Sequence, residues 1–555
     1  MEILLSVFLG ELTTRSIDFL VRRCSTKPSA PELEDRLRRV MLRAQVIADE
    51  ALGRHITNPA MLLQLSMLRD GVHQGHYMLD TSRCQYSSRD AEPTTDTEGS
   101  RKALALSRAS SSPSSILPSS SRGKGRFRYS SSSSSRNAEV VLLEGLTSVL
   151  QKLSSMVDDA GEMVAFLTSY PRLHRQPYSM HVQLGNCMFG RQMEAELVVG
   201  FLLHSRRGPT HGHGSSQETA VEVLPIVGPG RVGKSTLVAH VCKDERVRAH
   251  FSEIIFLKKG RHGFTDDDLD LATLGEGCAT EHQDGGGGGG GMPRPSTNED
   301  GRSRIRLLLV VELSGDLDDD AWNKLCFAAA KRRMVPSNDN DSSKVMVIVT
   351  SRSEKVTRFG TTTAAVRLQN LSHEAFWYFF KTLAFGGTDP GAGTTHASSS
   401  VRVAMEIAGM LGGCLVGANI TADLLRDNCD VRFWRKVLAF LRGVVLTHRQ
   451  PDDSGDGEHP FDLISDNRLA HLGRMAAPST EDLVLYHQDQ RSPQEEVPDL
   501  RIQDVMYGSA RPSGRFEALA WRSPIPPYYS YVNTCEIRDL KLKGRAAAKR
   551  KRCVV

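Results

Sequence analysis

The chain has 555 residues, 39% hydrophobic and 24% charged, which is length enough for about three or four domains with real cores. Its 70 basic and 65 acidic residues leave a net charge of +5, too even a balance to point to nucleic acid as a partner of the whole chain. Mean hydropathy is −0.31, and the longest strongly apolar run, Leu307 to Val311, is far short of the roughly 20 residues a bilayer span needs, so no membrane span is expected.

The amino terminus opens Met1-Glu2 and carries Glu11 and Arg15 within an apolar stretch, unlike a secretory signal, and reads as intracellular. Helical patterns follow. The first covers about Ile3 to Arg22. The second places Leu33, Leu37, Val40, Ala44, Ile47 and Ala51 on one face, opens on Ser29-x-x-Glu32 and meets Gly53. The third starts at Asn58-Pro59, a cap followed by a first-turn proline, and aligns Met61, Leu65, Leu68, Val72 and Leu79. A Ser-rich segment around the basic island Arg122 to Arg128 then reads as a disordered linker, because it cannot bury enough apolar surface to offset ordering. A fourth helix is predicted from about Glu139 to Leu167, completing a helical bundle.

The chemistry-bearing stretch comes next. Val221 to Val227 is a short apolar strand leading into Gly228-Pro-Gly230-Arg-Val-Gly233-Lys234-Ser235-Thr236, with helix-forming residues directly after. In that context Gly-x-x-x-x-Gly-Lys-Ser is a phosphate loop. Its glycines turn backbone N–H groups toward a β-phosphate, Lys234 reaches the β- and γ-phosphates, and Ser235 ligates Mg²⁺. Arg304 to Val311 reads as a buried parallel strand closed by Glu312, the candidate acidic partner of the metal. Glutamate stands where aspartate is commoner, and Leu313 leaves no neighbouring carboxylate to orient water, so hydrolysis is expected to be slow or absent. Asp316, Asp318, Asp319 and Asp320 read as a solvated loop. A further strand, Lys344 to Val349, ends in Thr350-Ser351-Arg352, where an arginine fork is placed to sense an outer phosphate.

Those pieces resemble the NB-ARC family of plant nucleotide-binding disease-resistance proteins, of the coiled-coil type from grasses. Met188-Phe-Gly190-Arg191-x-x-Glu194 resembles its hydrophobic-Gly-Arg motif near the adenine, Val349-Thr-Ser-Arg352 its sensor, and Leu368-Gln-Asn-Leu-Ser-His-Glu-Ala-Phe-Trp377 the segment that follows. The resemblance implies ADP or ATP with Mg²⁺ as ligands, Arg191 among the nucleotide contacts, and self-association or pairing with related immune receptors through the amino-terminal bundle. Three departures stand out. Gly409-Met-Leu-Gly-Gly-Cys414-Leu lacks the proline of the family's Gly-Leu-Pro-Leu motif, no Met-His-Asp follows Ile420, and residues 451–555 show no leucine-rich period. A non-switching interaction protein with a degenerate nucleotide site is the alternative.

The expected fold is α/β: a P-loop NTPase parallel-sheet domain preceded by a helical bundle and followed by a helical subdomain. The expected organisation is a helical bundle at 1–86, a disordered linker at 87–136, the fourth helix and a linker at 137–180, and the nucleotide-binding domain at 181–365. That domain carries a Gly-rich insert near 280–302, around Gly285 to Gly291, and is followed by a helical subdomain at 366–450 and an extension with a basic tail at 451–555. In the extension, Asp499 to Met506 and Phe516 to Trp521 read as strands and Ile525 to Tyr531 as a Pro/aromatic loop. Ten scattered cysteines without a CxxC, and His211 and His213 in a Gly-flanked loop, indicate neither a disulfide framework nor zinc. Lys549-Arg-Lys-Arg552 is a basic cluster of the kind read by nuclear import or by polyanions, with a solvated tail as the equal alternative, so the expected location is cytoplasmic, and nuclear if the cluster is read for import.

Overall fold

The computed structural model describes residues 29–90, 131–172, 188–203, 221–259, 306–313, 316–332, 345–361, 365–386, 395–448, 470–474 and 481–539. The predicted helix at Ile3–Arg22, the centre of the Ser-rich linker, the Gly-rich insert, His211, His213 and the basic tail lie outside them. The chain divides into two units, one comprising Met1–Ala51, Met67–Ser169 and Gly393–Arg402, the other Leu52–Ser66, Tyr170–Ala392 and Val403–Val555.

The first unit is helical. It contains α1 (Ala30–Leu52), most of α2 (Pro59–Asp90), α3 (Ser131–Asp158) and α4 (Ala160–Ser169). Both predicted starts hold: Asn58 Oδ1 accepts from the backbone N–H of Ala60 at 2.9 Å, and the Ser29 N–H donates to Glu32 at 3.2 Å. The buried stripe of α1 is Leu33, Leu37, Met41, Ala44, Ala48 and Ala51. Met41 and Ala48 thus take the inner places expected for Val40 and Ile47, which are half-buried, because the stripe drifts by one residue around a 3.6-residue turn. Hydrogen bonds from Ser82 to Glu34 (2.5 Å) and from Lys152 to Gln74 (3.1 Å) tie α2 to α1 and to α3. The predicted fourth helix is two helices, interrupted at Asp159, whose carboxylate accepts from the Ser155 hydroxyl at 3.3 Å. Helices also run to Asp90 and start at Ser131, inside the segment expected to be linker. By length and composition Glu139–Asp158, with mean hydropathy 1.3, is long and apolar enough to cross a membrane, which corrects the expectation drawn from Leu307 to Val311 as the longest strongly apolar run. Its Leu142, Leu146, Leu150 and Leu153 are buried as the inner stripe of α3.

The second unit is built on a parallel sheet of β1 (Val221–Val227), β2 (Glu253–Lys259), β3 (Leu307–Leu313), β4 (Val345–Ser351) and β5 (Val366–Arg367), in the order β2-β3-β4-β1-β5. Alternation sends Leu224, Ile226, Leu308, Val310, Met346 and Ile348 to one face. There they pack on α5 (Gln192–Leu203) and α6 (Lys234–Lys243). Val223, Val227, Leu309, Val311, Val347 and Val349 face the other way, toward Trp322 and Leu325 of α8 (Asp319–Arg332), with the short α7 (Glu245–His250) lying between α6 and β2 in the chain. This is the α/β P-loop arrangement, in which continuous apolar strands are covered on both faces. Helices α9 (His373–Phe385), α10 (Thr395–Met410, of which the part from Val403 belongs to this unit), α11 (Leu415–Asp427) and α12 (Val431–His448) follow, with Phe376, Trp377, Phe380, Leu425 and Trp434 buried.

After them comes an antiparallel sheet of β6 (Ala470–Gly473), β7 (Glu481–Arg491), β8 (Arg515–Arg522) and β9 (Ser530–Asp539), ordered β6-β7-β9-β8. Phe516 to Trp521 is strand, as expected. Asp499 to Met506 is corrected: Ile502–Tyr507 is a short helix, α13, opened by Asp504 accepting from the Arg501 N–H and closed by Gly508 in a left-handed conformation. Tyr531, expected in a loop, lies in β9.

Candidate functional site

Strand β1 delivers its carboxyl end between β4 and β5, and Gly228 leaves the strand there. Its N–H donates to Ser351 O at 3.3 Å, and a Cβ on Gly228 would sit 2.2 Å from the Leu368 carbonyl oxygen, so only glycine lets the backbones approach. At the far end of the loop Gly233 has φ +95 and stands at the N-cap of α6, turning the chain from loop to helix without a side-chain cap. Lys234, Ser235 and Thr236 therefore form the first turn of α6, where unpaired N–H groups and the helix dipole favour an anion.

Three charges converge on this loop. The Lys234 ammonium donates to the Gly228 and Pro229 carbonyls at 2.9 and 2.7 Å, and so folds across the loop. Arg352 follows β4 directly, and its Cζ lies 3.0 Å from where a Gly230 Cβ would be, so the guanidinium covers the middle of the loop. Glu312 is on β3, paired in register with Thr350 of β4, which separates β3 from the loop strand. Burial, and then the neighbouring Arg352, pull the Lys234 ammonium down to about 8, while Glu312 opposes them. Two cations crowded on one loop, with one carboxylate to offset them, form a donor set suited to a phosphate ligand, and Ser235 with Glu312 supplies the oxygens a divalent cation prefers.

Arg191 is placed differently. It is buried, donates to Glu194 at 3.1 Å and to the backbone oxygen of Gln369, and fastens the Gly190-Arg191 turn to the segment after β5. The same segment reaches the loop through Met188, whose Cε lies 2.6 Å from a Gly233 Cβ position, and Leu415 at the start of α11 approaches to 3.9 Å. Met188 and Leu415 thus join the site from distant positions that carried no polar signal in the sequence. The acidic run after β3 has structural partners: Asp316 pairs with Lys355 at 2.6 Å, Asp319 with Arg358 at 2.9 Å, and Asp318 caps α8 through the Ala321 N–H. Cys414 is the N-cap of α11, its sulfur accepting from Gly417 N at 3.3 Å. Among the described residues no cluster of three or more His, Cys, Asp or Glu is set to hold a metal ion on its own.

No known protein-family profile matches the chain. Among curated proteins it is similar to disease resistance protein RGA2 of Solanum bulbocastanum, 28% identical over 253 residues, which is 45% of this chain and 23% of that protein. Putative disease resistance protein RGA1 of the same species is 27% identical over 252 residues, 45% and 23% of the two chains. The putative disease resistance RPP13-like protein 1 of Arabidopsis thaliana is 24% identical over 413 residues, 73% of this chain and 34% of its own. The relatives at 24–28% identity are thus plant disease resistance proteins, and the chain spans between 22% and 34% of their length. Solved structures of Drosophila ORC bound to DNA and of C. elegans PCH-2 align at 12% identity, over 47% and 49% of this chain and 68% and 77% of theirs, with TM-scores of 0.27 and 0.28.

Proposed function

We propose that the chain is an adenine-nucleotide-binding switch protein of plant defence, resembling an NB-ARC receptor of the coiled-coil type. The observation that supports this most is the convergence of Lys234, Arg352 and Glu312 on a glycine loop at the carboxyl ends of parallel strands, in a chain similar to disease resistance proteins. In this reading Gly228, Gly230, Gly233 and the first turn of α6 hold the α- and β-phosphates of ADP or ATP, with Thr236 at the base of that turn. Lys234 neutralises the β-phosphate, and Ser235 and Glu312 hold Mg²⁺. Arg352 reads the outer phosphate, and the loops around it differ in energy between diphosphate and triphosphate states, which is the requirement for a switch. Arg191 acts on the nucleotide through the turn it fastens. The helical unit serves self-association or pairing with related immune receptors, and the chain works in the cytoplasm with access to the nucleus.

The test is calorimetric titration of the full chain with ADP and Mg²⁺. Lys234→Ala is expected to remove most of the affinity, since a charge-assisted phosphate contact contributes on the order of 1.5–3 kcal/mol. Equal binding by both proteins would refute a nucleotide role for the loop. The rival, a helical interaction protein whose loop binds nucleotide structurally or not at all, is favoured by Cys414 in place of the motif proline.

A further inference from the structure

Alternation decides which side chains share a face of the C-terminal sheet. On β9, Tyr531, Asn533, Cys535 and Ile537 point one way, in register with Gln490, Gln488, Leu485 and Leu483 of β7, with a bulge at Tyr486 that restores the phase. This face changes character along its length. Leu483, Leu485, Cys535 and Ile537 pack with Val505 and Met506 of α13 in an apolar cluster. Beyond the bulge the same face is polar: Gln488 Nε2 donates to Asn533 Oδ1 at 3.3 Å, and Tyr531 stacks on Trp521 with centroids 5.8 Å apart.

Along this polar stretch Asn533 is buried, Gln488 and Tyr531 are half-buried and Gln490 is exposed, and its buried polar groups are unfavourable unless something polar meets them. Here it meets the phosphate loop. Arg231, a residue of the loop held at φ 59, donates from Nη2 to Gln488 Oε1 at 2.9 Å, across 257 positions of sequence. Asn533 is 2% exposed and its Nδ2 has no hydrogen-bond partner among the described residues, so within them the amide pair is anchored at its loop end. Burial pushes the Tyr531 phenol up to about 12, against the nearby Arg231, which leaves it a protonated neighbour of that guanidinium. A second tether stands beside the first: the Lys243 ammonium, at the end of α6, lies 4.3 Å from the centroid of Tyr528 in the β8–β9 turn.

We propose that Gln488 is a positioning residue of the nucleotide site, fixing Arg231 so that the C-terminal sheet docks on the phosphate loop and lengthens the residence of the bound nucleotide. This rests on the nucleotide reading of the loop. Linkage makes the effect mutual: a docked sheet orders the loop that holds the phosphates, and bound nucleotide strengthens docking by the same factor.

The experiment uses the full chain, loaded with a fluorescent ADP analogue and chased with unlabelled ADP, with amide hydrogen exchange as a second readout. Gln488→Leu keeps the bulk and removes the amide, while Gln488→Asn keeps the amide but withdraws it by one methylene, so that the milder variant decides if the first fails to fold. Both are expected to release the analogue roughly tenfold faster, the effect of one hydrogen bond to a charged group. In the wild type, ADP is expected to slow exchange at the Gln488–Arg491 and Ser530–Asn533 amides, and to lose that effect in both variants. Wild-type chain that retains no analogue would overturn the nucleotide reading itself. Wild type that retains it, with variants that release it at the same rate and show unaltered exchange, would overturn the docking role alone.

Discussion

If the loop holds ADP as proposed, the Lys234 ammonium is expected to make the affinity depend on pH in a range where the ligand does not titrate. Its ordinary value is 10.5, and burial with Arg352 lowers it to about 8 in the free protein. A phosphate beside it favours the charged form and returns the value toward the ordinary one or above. The sign follows from proton counting. Bound protein keeps the proton at pH values where free protein has lost it, so affinity is highest below about 8 and falls as pH rises through that value. Between pH 7 and pH 9 the charged fraction of the free lysine drops from roughly nine-tenths to roughly one-tenth, which weakens binding by about tenfold. The phosphate, with its second ionisation near 6, contributes little over that interval. Calorimetry at both pH values, in buffers of different ionisation heat, gives the affinity and the proton uptake together. Lys234→Arg stays charged throughout and is expected to give a flat profile. A wild-type dissociation constant unchanged between pH 7 and 9, or an equal slope in the arginine variant, would refute the reasoning.

Single-turnover phosphate release is expected to stay below about 1 s⁻¹, the low end of ordinary enzymes, because Glu312 is followed by Leu313 rather than a second carboxylate; a faster rate that depends on Lys234 would contradict this. Gly228→Ala forces a Cβ against the Leu368 carbonyl and is expected to destabilise the second unit by about 1–3 kcal/mol, read as a fall in its thermal midpoint. Leu42 and Val46, 65% and 69% exposed on one side of α1, are among the exposed apolar positions of the helical unit available for association. The double change Leu42→Glu, Val46→Glu is expected to leave helicity intact and reduce self-association in light scattering, and an unchanged mass would end that role for this strip. Replacing Lys549, Arg550, Lys551 and Arg552 by Ala in a fluorescent fusion is expected to move nuclear signal to the cytoplasm, and an unchanged distribution would remove nuclear import.

What could be read from the sequence was the local part of the site. The run Val221–Val227, the glycine loop and α6 are contiguous, and β3 and β4 announce themselves as unbroken apolar strands, so the sequence alone assigns Lys234, Ser235, Glu312 and Arg352 to strand ends and a helix start. Registers could not be read that way: nothing local says that β4 lies between β1 and β3, or that Leu368 closes over Gly228. The short helix Ile502–Tyr507 was mistaken for strand because six residues are too few for a 3.6-residue period to outweigh the pull of isolated Ile and Val, although Asp504 and Gly508 were its capping signals. The polar half of β7 escaped for a different reason. Gln488, Asp489 and Gln490 look like a solvated loop until the Arg231 guanidinium, supplied from far upstream, gives Gln488 a partner.

The strand order also governs the making of the molecule. Among the described strands β1 pairs with β4 and β5, and β4 emerges about 120 residues after β1 has left the ribosome, an interval of roughly 6–24 s at ordinary synthesis rates. Throughout that time Leu224, Ile226 and Val227 have no sheet to enter. The loop that β1 carries stays without its frame until the later strands arrive and close a long span of chain, which makes this a slow step in the parallel sheet. The phosphate loop is therefore among the last parts of the sheet domain to take shape, and a nascent chain holding β1 alone is a natural client for a chaperone that shields apolar strands.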